Sequence, residues 1–253
     1  MIPLVQNDSS KVTRTMRVLI VEDEKALSKG LKFNFEQEGY EVDLAEDGQT
    51  ALNIFSADPD KFDLVILDLM LPGMSGYDAC REIRELAADI PILVLSARTL
   101  SEDKTAAFDA GSDQYMTKPF ALPELLSRVR NLIERHPRES RGEPVAEPTP
   151  DVVSIGDVKV DFKAFEVHSG DQVHQLTTME QQLLRYFISH SGTVLSRSQI
   201  MADVWGEAAD ITTRSIDNFV LRLRKMIEPN PAEPRHFLSV RGTGYRFVPD
   251  PSE

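Results

Sequence analysis

Four polar signals in this chain each follow a short apolar run that is typical of a buried strand. In chain order, these signals are Glu22 with Asp23, Asp68, Ser96 and Lys118. In an open parallel α/β sheet, functional groups gather outside the carboxyl ends of the strands. Carboxylates, a hydroxyl and a lysine that meet at one edge would form a site for a divalent cation and a phosphoryl group. One acid after a strand is usually a solvated loop residue, so the prediction depends on all four signals occurring together.

The elements that would position these groups alternate along the first half of the chain. Apolar runs predict strands at 17–21, 41–45, 63–67, 91–95 and 114–117. Helical patterns follow them at 25–38, 48–56, 76–87, 102–110 and 121–134. Continuous apolar strands are typical of a sheet that is covered by helices on both faces. Five strand–helix repeats therefore predict an α/β fold with a doubly wound, five-stranded parallel sheet.

The residue types at this edge suit phosphoryl transfer assisted by Mg²⁺. Mg²⁺ prefers oxygen ligands, which the carboxylates of Asp23 and Asp68 and the backbone carbonyl of Met70 can supply. With the metal ion as the neutralising charge, Asp68 can attack a phosphoryl donor and hold the phosphate as an acyl phosphate. The reaction needs mostly positioning and charge neutralisation. Lys118 and the Ser96 hydroxyl can each bind a phosphate oxygen, so Asp68 is the predicted phosphoryl acceptor.

Composition limits the class of protein. A chain of 253 residues with 41% hydrophobic content is long enough for two domains with full cores. No apolar run reaches the length of a membrane span and no secretory signal is visible. Residues 1–15 have the character of a disordered lead, and Met16 could be the start of the protein. Cys80 is the single cysteine, which excludes an internal disulfide and a thiolate metal site. We therefore expect a cytoplasmic protein.

Charge is unevenly distributed along the chain. The net charge of −13 argues against a general nucleic-acid binder. Residues 1–135 hold 24 Asp and Glu against 15 Lys and Arg, whereas residues 212–246 hold 3 against 7. Four prolines and mixed charge at 136–151 predict a flexible linker. We therefore expect two domains with different partners, at 16–135 and 152–249.

The second half begins with short alternating strands and continues with helices. The strands are predicted at 152–155, 158–162, 165–168 and 172–176. Three helices follow, to about 190, 205 and 228, with predicted N-caps at Thr177 or Thr178, Ser196, and Thr212 or Thr213. Two strands at 237–240 and 245–248 flank Gly242 and Gly244, which predicts a hairpin. Trp205, Met179 and Tyr245 are expected in the core. The histidines at 168, 174, 190 and 236 lack metal-ligand spacing and are expected at the surface.

The third of these helices has two distinct faces. At about 100° per residue, Ile216, Val220, Leu223 and Ile227 share the face that should be buried. The opposite face, predicted to be free for a partner, carries Arg214, Asn218, Leu221, Arg222 and Lys225. A polar, basic helix face of this width fits the major groove of DNA. Asp217 lies partly toward this side and would oppose phosphate unless an arginine pairs with it.

The phosphoryl-site residues, with the segment 71–76, Ser96-Ala97 and Lys118-Pro119-Phe120, resemble the receiver domain of two-component response regulators. The resemblance covers 16–135 and implies a CheY-like sheet of order 2-1-3-4-5. It implies that a sensor histidine kinase phosphorylates Asp68, and that Glu22 with Asp23 forms the metal-binding pair. It also implies a switch role for Ser96 and Tyr115, and a Lys118–Pro119 bond that is often cis in relatives.

The segments 176–184, 204–206, 222–225 and 240–247 resemble the winged-helix effector domain of OmpR/PhoB-type regulators. This resemblance covers 152–249 and implies a C-terminal winged helix-turn-helix domain that binds direct-repeat DNA sites. The helix at 212–228 would then be the recognition helix and Arg241 a wing contact, while the loop 206–211 matches a segment that meets RNA polymerase in some relatives. Leu221 stands where several relatives have arginine, which suggests a different operator.

Relatives of this build dimerise through the fourth and fifth helices of the receiver. The predicted dimer face consists of Lys104, Asp113, Glu124 and Arg128. Relatives usually have two adjacent acids before the tyrosine that matches Tyr115, but this chain has Asp113 and Gln114. Gln114 carries no charge, so it cannot form the ion pair with the arginine matched by Arg128. An exposed ion pair stabilises by only about 0–1 kcal/mol. The resemblance therefore predicts a homodimer, with its strength altered by Gln114.

Two other functions fit parts of the sequence. A regulator of the same build could act without phosphorylation, although none of the expected site residues is missing. A phosphatase or phosphotransfer enzyme could instead hydrolyse the acyl phosphate at a rate set near Met70 and Arg98. No general base or second catalytic centre is apparent for that reaction, so the sequence favours a regulator over an enzyme.

Overall fold

The computed structural model describes residues 14–135, 150–206 and 213–251. The first half contains five strands and five helices in alternation. The strands are β1 (Arg17–Val21), β2 (Glu41–Ala45), β3 (Leu64–Asp68), β4 (Ile92–Ser96) and β5 (Gln114–Thr117). The helices are α1 (Lys25–Gln37), α2 (Gly48–Ala57), α3 (Gly76–Leu86), α4 (Ser101–Asp109) and α5 (Leu122–Arg135). All strand pairs are parallel in the order β2-β1-β3-β4-β5, which confirms the predicted doubly wound sheet.

Apolar side chains from both faces of the sheet form its core. Every residue of β3 and β4 is buried, as the continuous apolar runs predict. One face packs against α1 and α5 through residues such as Phe35 and Leu125. The other face packs against α2 and α3 through Phe55 and the single cysteine, Cys80. Burial raises the pKa of the Cys80 thiol to about 12, so this cysteine belongs to the core.

The second half contains a four-stranded antiparallel sheet, three helices and a smaller sheet. The first sheet has the order β6-β7-β8-β9, from β6 (Val152–Ile155), β7 (Val158–Asp161), β8 (Glu166–Ser169) and β9 (Gln172–Gln175). The helices are α6 (Thr178–Ser189), α7 (Arg197–Ile200), which continues as a π-helical turn over Met201–Trp205, and α8 (Thr213–Ile227). The smaller sheet has the order β10-β12-β11, from β10 (Val194–Ser196), β11 (Phe237–Val240) and β12 (Gly244–Phe247).

Local signals set several boundaries in this half. The side chain of Thr177 accepts a hydrogen bond from the backbone of Glu180, whose side chain accepts one from Thr177 in return. Ser196 and Gln199 form the same capping box at the start of α7. Gly244 lies where an added Cβ would stand against the carbonyl oxygen of Leu195, so only glycine fits between β12 and β10. The caps at Thr177 and Ser196 are therefore as predicted.

Two features of this half differ from the prediction. Strand β10 was not predicted, because its three residues offer too little alternation to be distinguished from a loop. His236 was expected at the surface and is only 5% exposed. Its ring nitrogen Nδ1 lies 2.9 Å from the carbonyl oxygen of Val248, and its Nε2 lies beside Gly156. Met179, Trp205 and Tyr245 are buried, as expected.

Other predictions fall wholly or partly outside the described residues. These are the lead at 1–13, the linker at 136–149, the loop at 207–211 and the cap at Thr212. Within the described ranges, no helix is both long and apolar enough to cross a membrane.

Candidate functional site

The parallel register brings the predicted phosphoryl-site residues to one edge of the sheet. Asp68 ends β3 and Ser96 ends β4, while Lys118 follows β5 and Glu22 follows β1. Asp68, Glu22 and Ser96 are buried, whereas Asp23 is exposed. The edge therefore combines buried carboxylates with an acidic group that faces solvent.

Lys118 is the charge partner of the two buried carboxylates. Its Nζ lies 2.6 Å from Oδ2 of Asp68 and 2.6 Å from Oε2 of Glu22. Burial alone would lower the pKa of Lys118, but its hydrogen bonds with Asp68 and Glu22 outweigh burial and raise the pKa above the usual lysine value. Burial also raises the pKa of Glu22, although Lys118 opposes that shift. The lysine thus balances part of a cluster that holds three acidic groups.

The donor set of this cluster fits a hard divalent cation. Carboxylate oxygens of Glu22, Asp23 and Asp68 all lie within 4.8 Å of one another. Mg²⁺ is bound through one or two carboxylates and keeps several waters, which suits a cluster with one exposed member. The backbone N–H of Met70 donates to Oδ1 of Asp68 at 2.9 Å and fixes that oxygen, while the Met70 side chain is exposed. These residues can therefore hold Mg²⁺ beside the oxygens of Asp68.

Helix α3 approaches strand β3 closely at its first residue, Gly76. A Cβ at this position would stand against the carbonyl oxygen of Asp68 and 2.5 Å from Cα of Leu69. We expect Gly76→Ala to lower the free energy of unfolding by about 1–3 kcal/mol, because overpacking shifts the backbone. Urea denaturation of the full chain measures this change. Gly30→Ala is the matched control: its site is empty within 4 Å in helix α1, so this change should stabilise by about 0.4–1 kcal/mol. Equal effects of the two changes would contradict the close approach.

Ser96 and Tyr115 connect the site to the loop between β4 and α4. The Ser96 hydroxyl accepts a hydrogen bond from the backbone N–H of Arg98 at 3.3 Å. Tyr115 is fully buried, its side chain hydrogen-bonds with Ser96, and its hydroxyl donates to the carbonyl oxygen of Arg98 at 2.9 Å. Burial raises the pKa of Tyr115 to about 12, so the phenol stays protonated as a donor. A displacement of Ser96 would therefore change its hydrogen bonds with Tyr115 and with the backbone of this loop.

The residues of the predicted dimer face are mostly buried in this conformation. Lys104, Asp113 and Arg128 are all buried. Arg128 bonds Glu124 of the same helix at 2.6 Å, and both oxygens of Asp113 have partners within the chain. In this conformation these three side chains are held in contacts within the chain, and their role as charge pairs across a dimer face stays a prediction.

Helix α8 buries the face that its periodicity predicts. Ile216, Val220, Leu223 and Ile227 are all at most 2% exposed. On the opposite side, Leu221 and Lys225 are exposed and Asn218 is partly exposed. The side chain of Arg214 lies outside the described residues, and Arg241 is exposed at the hairpin between β11 and β12.

Arg222 does not have the free position that was predicted for it. Its guanidinium donates to the carbonyl oxygen of Phe108 in α4, and its Nε lies 2.9 Å from Oε1 of Glu180. Phe219, one turn earlier, is also fully buried and packs against Phe108. The periodicity of one helix could not show this, because the covering residues come from the other half of the chain.

Asp217 connects helix α8 to the hairpin of β11 and β12. An arginine pairs with it, which is the condition under which it would not oppose phosphate. Its Oδ1 lies 2.8 Å from Nε of Arg197 and accepts a hydrogen bond from the Tyr245 hydroxyl at 2.6 Å. The guanidinium of Arg197 also lies over the Tyr245 ring, 4.9 Å from its centroid. This set fixes α7, α8 and β12 relative to one another.

Glu228, directly after α8, holds the start of β11 and was not singled out from the sequence. Its Oε1 accepts the backbone N–H groups of His236 at 2.9 Å and Phe237 at 2.8 Å, and its Oε2 accepts that of Arg235 at 2.8 Å. An acid at a helix C-terminus is opposed by the helix dipole. That unfavourable placement was the available signal that Glu228 has specific partners.

Comparison with known proteins agrees with both halves of this architecture. Residues 18–130 match the family model of the response regulator receiver domain, and residues 171–247 match that of the transcriptional regulatory protein C-terminal domain. Response regulator MprA of Mycolicibacterium vanbaalenii is 38% identical over 231 residues, which cover 91% of this chain and 96% of the relative. The KDP operon transcriptional regulatory protein KdpE of Escherichia coli is 39% identical over 231 residues, with 91% and 98% covered.

A solved structure of a RitR mutant covers 93% of this chain and 100% of its own, with a TM-score of 0.71 and 23% identity, which supports the fold. The chain belongs to the OmpR/PhoB family of response regulators, with a receiver domain and a C-terminal winged-helix DNA-binding domain. It is a two-component regulator of transcription.

Proposed function

We propose that Asp68 accepts a phosphoryl group from a sensor histidine kinase and that this controls DNA binding. The observation that carries the proposal is the buried Asp68 carboxylate, held by Lys118 on one oxygen and by the Met70 N–H on the other. The acidic cluster of Glu22, Asp23 and Asp68 beside it supplies a cation site. A structural ion pair alone would not require the third, exposed carboxylate.

In the proposed reaction, an oxygen of Asp68 attacks the phosphorus of a phosphohistidine. A bond from phosphorus to this oxygen forms, the bond from phosphorus to nitrogen breaks, and the imidazole leaves. Glu22, Asp23, Asp68 and the carbonyl of Met70 would hold Mg²⁺, which would supply neutralising charge. Lys118 then pairs with one phosphate oxygen and the Ser96 hydroxyl bonds another. The protein acts as an acceptor of phosphate and not as an enzyme with its own substrate.

The phosphate changes the balance between two conformations by its differential contacts with them. Ser96 moves toward the phosphate, and Tyr115 follows because it is hydrogen-bonded to Ser96. The phosphorylated receiver forms a homodimer through a face that includes Lys104, Asp113, Glu124 and Arg128. The division into a receiver at 16–135, a linker at 136–151 and an effector domain at 152–249 belongs to the same proposal.

The effector domain then binds direct-repeat sites in double-stranded DNA in the cytoplasm. Helix α8 enters the major groove, where an arginine can contact guanine, Asn218 adenine, and Leu221 a thymine methyl group. The proposed contacts are Arg214, Asn218, Leu221, Arg222 and Lys225 from α8, and Arg241 from the hairpin. The proposed contact with RNA polymerase is the segment 206–211.

The test uses the full chain with Mg²⁺ and acetyl phosphate as the phosphoryl donor. Intact-mass spectrometry should show one added phosphoryl group on the unmodified chain, and none on Asp68→Asn or when EDTA removes the metal. Asp68→Asn is the matched variant, because an amide oxygen can still accept the Met70 N–H. Sedimentation with Mg²⁺ and beryllofluoride, a mimic of the acyl phosphate, should show a dimer that Asp68→Ala abolishes. Equal phosphorylation of Asp68→Asn would refute the assignment.

A further inference from the structure

Met70 is the one exposed methionine among the residues that the structure describes. Its side chain is 51% exposed, two residues after Asp68, whereas the other methionines in the described ranges are buried or partly buried. The thioether of methionine can be oxidised to a sulfoxide, which turns an apolar side chain into a polar one, and this change is reversible. An oxidisable side chain therefore lies beside the proposed phosphoryl site.

The sulfur of Met70 already has a cationic donor beside it. Its Sδ accepts a hydrogen bond from Nε of Arg98 at 3.1 Å. A thioether is a weak acceptor, so this N–H group of Arg98 has a poor partner in the reduced protein. A sulfoxide oxygen carries a partial negative charge, accepts hydrogen bonds strongly and is bonded to the same sulfur. The contact with Arg98 therefore stabilises the oxidised side chain more than the reduced one.

Arg98 connects this sulfur to helix α4 and to the residues expected to act as the switch. Its Nη1 lies 2.7 Å from Oδ1 of Asp103, in the first turn of α4. Its backbone N–H donates to the Ser96 hydroxyl, and its carbonyl oxygen accepts from the Tyr115 hydroxyl. A change in how the Arg98 side chain is held therefore acts on a residue that contacts both Ser96 and Tyr115.

The contact between Met70 and Arg98 bridges two loops beside Asp68. Met70 lies in the loop between β3 and α3, and Arg98 lies in the loop between β4 and α4. The Met70 N–H donates to Oδ1 of Asp68 at 2.9 Å, so the bridge begins at a residue that touches the proposed acceptor. A stronger bridge would hold the two loops together, and would hinder both the movement of Ser96 and the entry of a phosphoryl donor.

We propose that Met70 is a site of reversible oxidation by hydroperoxides, and that its sulfoxide slows phosphorylation of Asp68 by binding Arg98. The sulfur attacks the hydroxyl oxygen of the peroxide, so a sulfur–oxygen bond forms and the oxygen–oxygen bond breaks. The sulfur-bound hydroxyl then gives its proton to the departing hydroxide or alkoxide, which leaves as water or an alcohol. Sulfur loses two electrons and the peroxide gains them. The oxidation stands by itself, and only its effect on Asp68 rests on the proposed function.

Two other sulfur-containing side chains of the receiver show why the oxidant should select Met70. Met74 lies in the same loop but is partly buried, with its sulfur against Gly48 at the start of α2. Cys80 is fully buried, and burial raises the pKa of its thiol to about 12, so it offers no accessible thiolate. Met74 is therefore an internal control for exposure, and Cys80 does not compete for peroxide.

The test treats the metal-free full chain with dilute hydrogen peroxide and follows each methionine by peptide mass spectrometry. Met70 should be oxidised before Met74. After removal of the peroxide and addition of Mg²⁺ and acetyl phosphate, intact-mass spectrometry gives the rate of phosphorylation. The oxidised chain should accept phosphate about 2- to 5-fold more slowly than the untreated chain, as expected for one strengthened contact at the surface. Methionine sulfoxide reductase should restore the rate.

Two variants show whether the effect passes through this contact. Met70→Leu keeps the backbone and the apolar bulk, so peroxide should leave its rate of phosphorylation unchanged. In Arg98→Ala, Met70 should still be oxidised, but without slowing phosphorylation. Oxidation of Met74 before Met70, a rate that peroxide does not change in the unmodified chain, or equal slowing in either variant would each overturn the proposal. If the untreated chain accepts no phosphate, the proposed function fails and the regulation fails with it, while the peptide masses alone decide the oxidation of Met70.

Discussion

Replacement of Lys118 by methionine should destabilise the metal-free protein by about 3–5 kcal/mol, since removal of one partner leaves buried charges uncompensated. Lys118 is the ion-pair partner of two buried carboxylates, Glu22 and Asp68. Methionine keeps most of the length and apolar character of the side chain, so the loss reports the charge. Urea denaturation in EDTA measures the free energy of unfolding.

Addition of Mg²⁺ should restore most of the stability that Lys118→Met loses. A ligand that binds only the folded state stabilises it by mass action, and Mg²⁺ would replace the missing positive charge. The control is Lys25→Met, because Lys25 forms an exposed ion pair with Glu46 and such pairs contribute about 0–1 kcal/mol. Equal losses for the two variants would contradict the proposed role of Lys118.

Replacement of Glu228 by alanine should lower the free energy of unfolding by about 3 kcal/mol or more, because each buried donor left unpaired costs about 1–3 kcal/mol. The Glu228 carboxylate accepts three backbone N–H groups, those of His236 and Phe237 being buried. The free energy of unfolding of a typical protein is only about 5–15 kcal/mol, so the loss expected for Glu228→Ala is a large fraction of it. The start of β11 would detach, so DNA affinity should fall as well. Thermal and urea unfolding, followed in the full chain, measure the effect.

Two further variants define the origin of that loss. Glu228→Gln can keep one acceptor oxygen for the N–H groups of His236 and Phe237. It should therefore lower the free energy of unfolding by less than Glu228→Ala does. Glu233→Ala is the control, because Glu233 is exposed and contacts Asn230, and surface changes of this kind stay within about 0.5 kcal/mol. A loss for Glu228→Ala no larger than that of Glu233→Ala would show that the three hydrogen bonds contribute little.

Much of the proposed phosphoryl site followed from local sequence. Apolar runs located the strands of the receiver, and parallel order alone brings their carboxyl ends to one edge. Asp68, Ser96 and Lys118 therefore could be assigned to one site before any geometry was known. The switch role proposed for Tyr115 came from the resemblance, since an aromatic in a short strand has no local signal for a switch. The buried face of α8 followed from its period of about 3.6 residues.

The features that escaped prediction depend on contacts between distant segments. Arg222 and Phe219 are covered by Phe108, and no pattern within α8 reports what lies across a domain boundary. The hydrogen bond from the Met179 N–H to Asp113 has the same origin. Glu228 and His236 were missed because their partners are backbone groups, which carry no sequence identity. Local periodicity specifies which face is apolar, but not which segment covers it.

The ring contact between Phe108 and Phe219 also has a consequence for biosynthesis. Phe219 follows the end of α5, at Arg135, by 84 residues, so the ribosome completes the receiver before α8 exists. At elongation rates of about 5–20 residues per second, that interval is roughly 4–17 s. During it, a folded nascent receiver has no α8 to pack against Phe108 at the end of α4, so this ring lacks its Phe219 partner. Completion of the chain supplies Phe219 to this ring, so the finished protein has less unpaired apolar surface at the end of α4 than its nascent precursor.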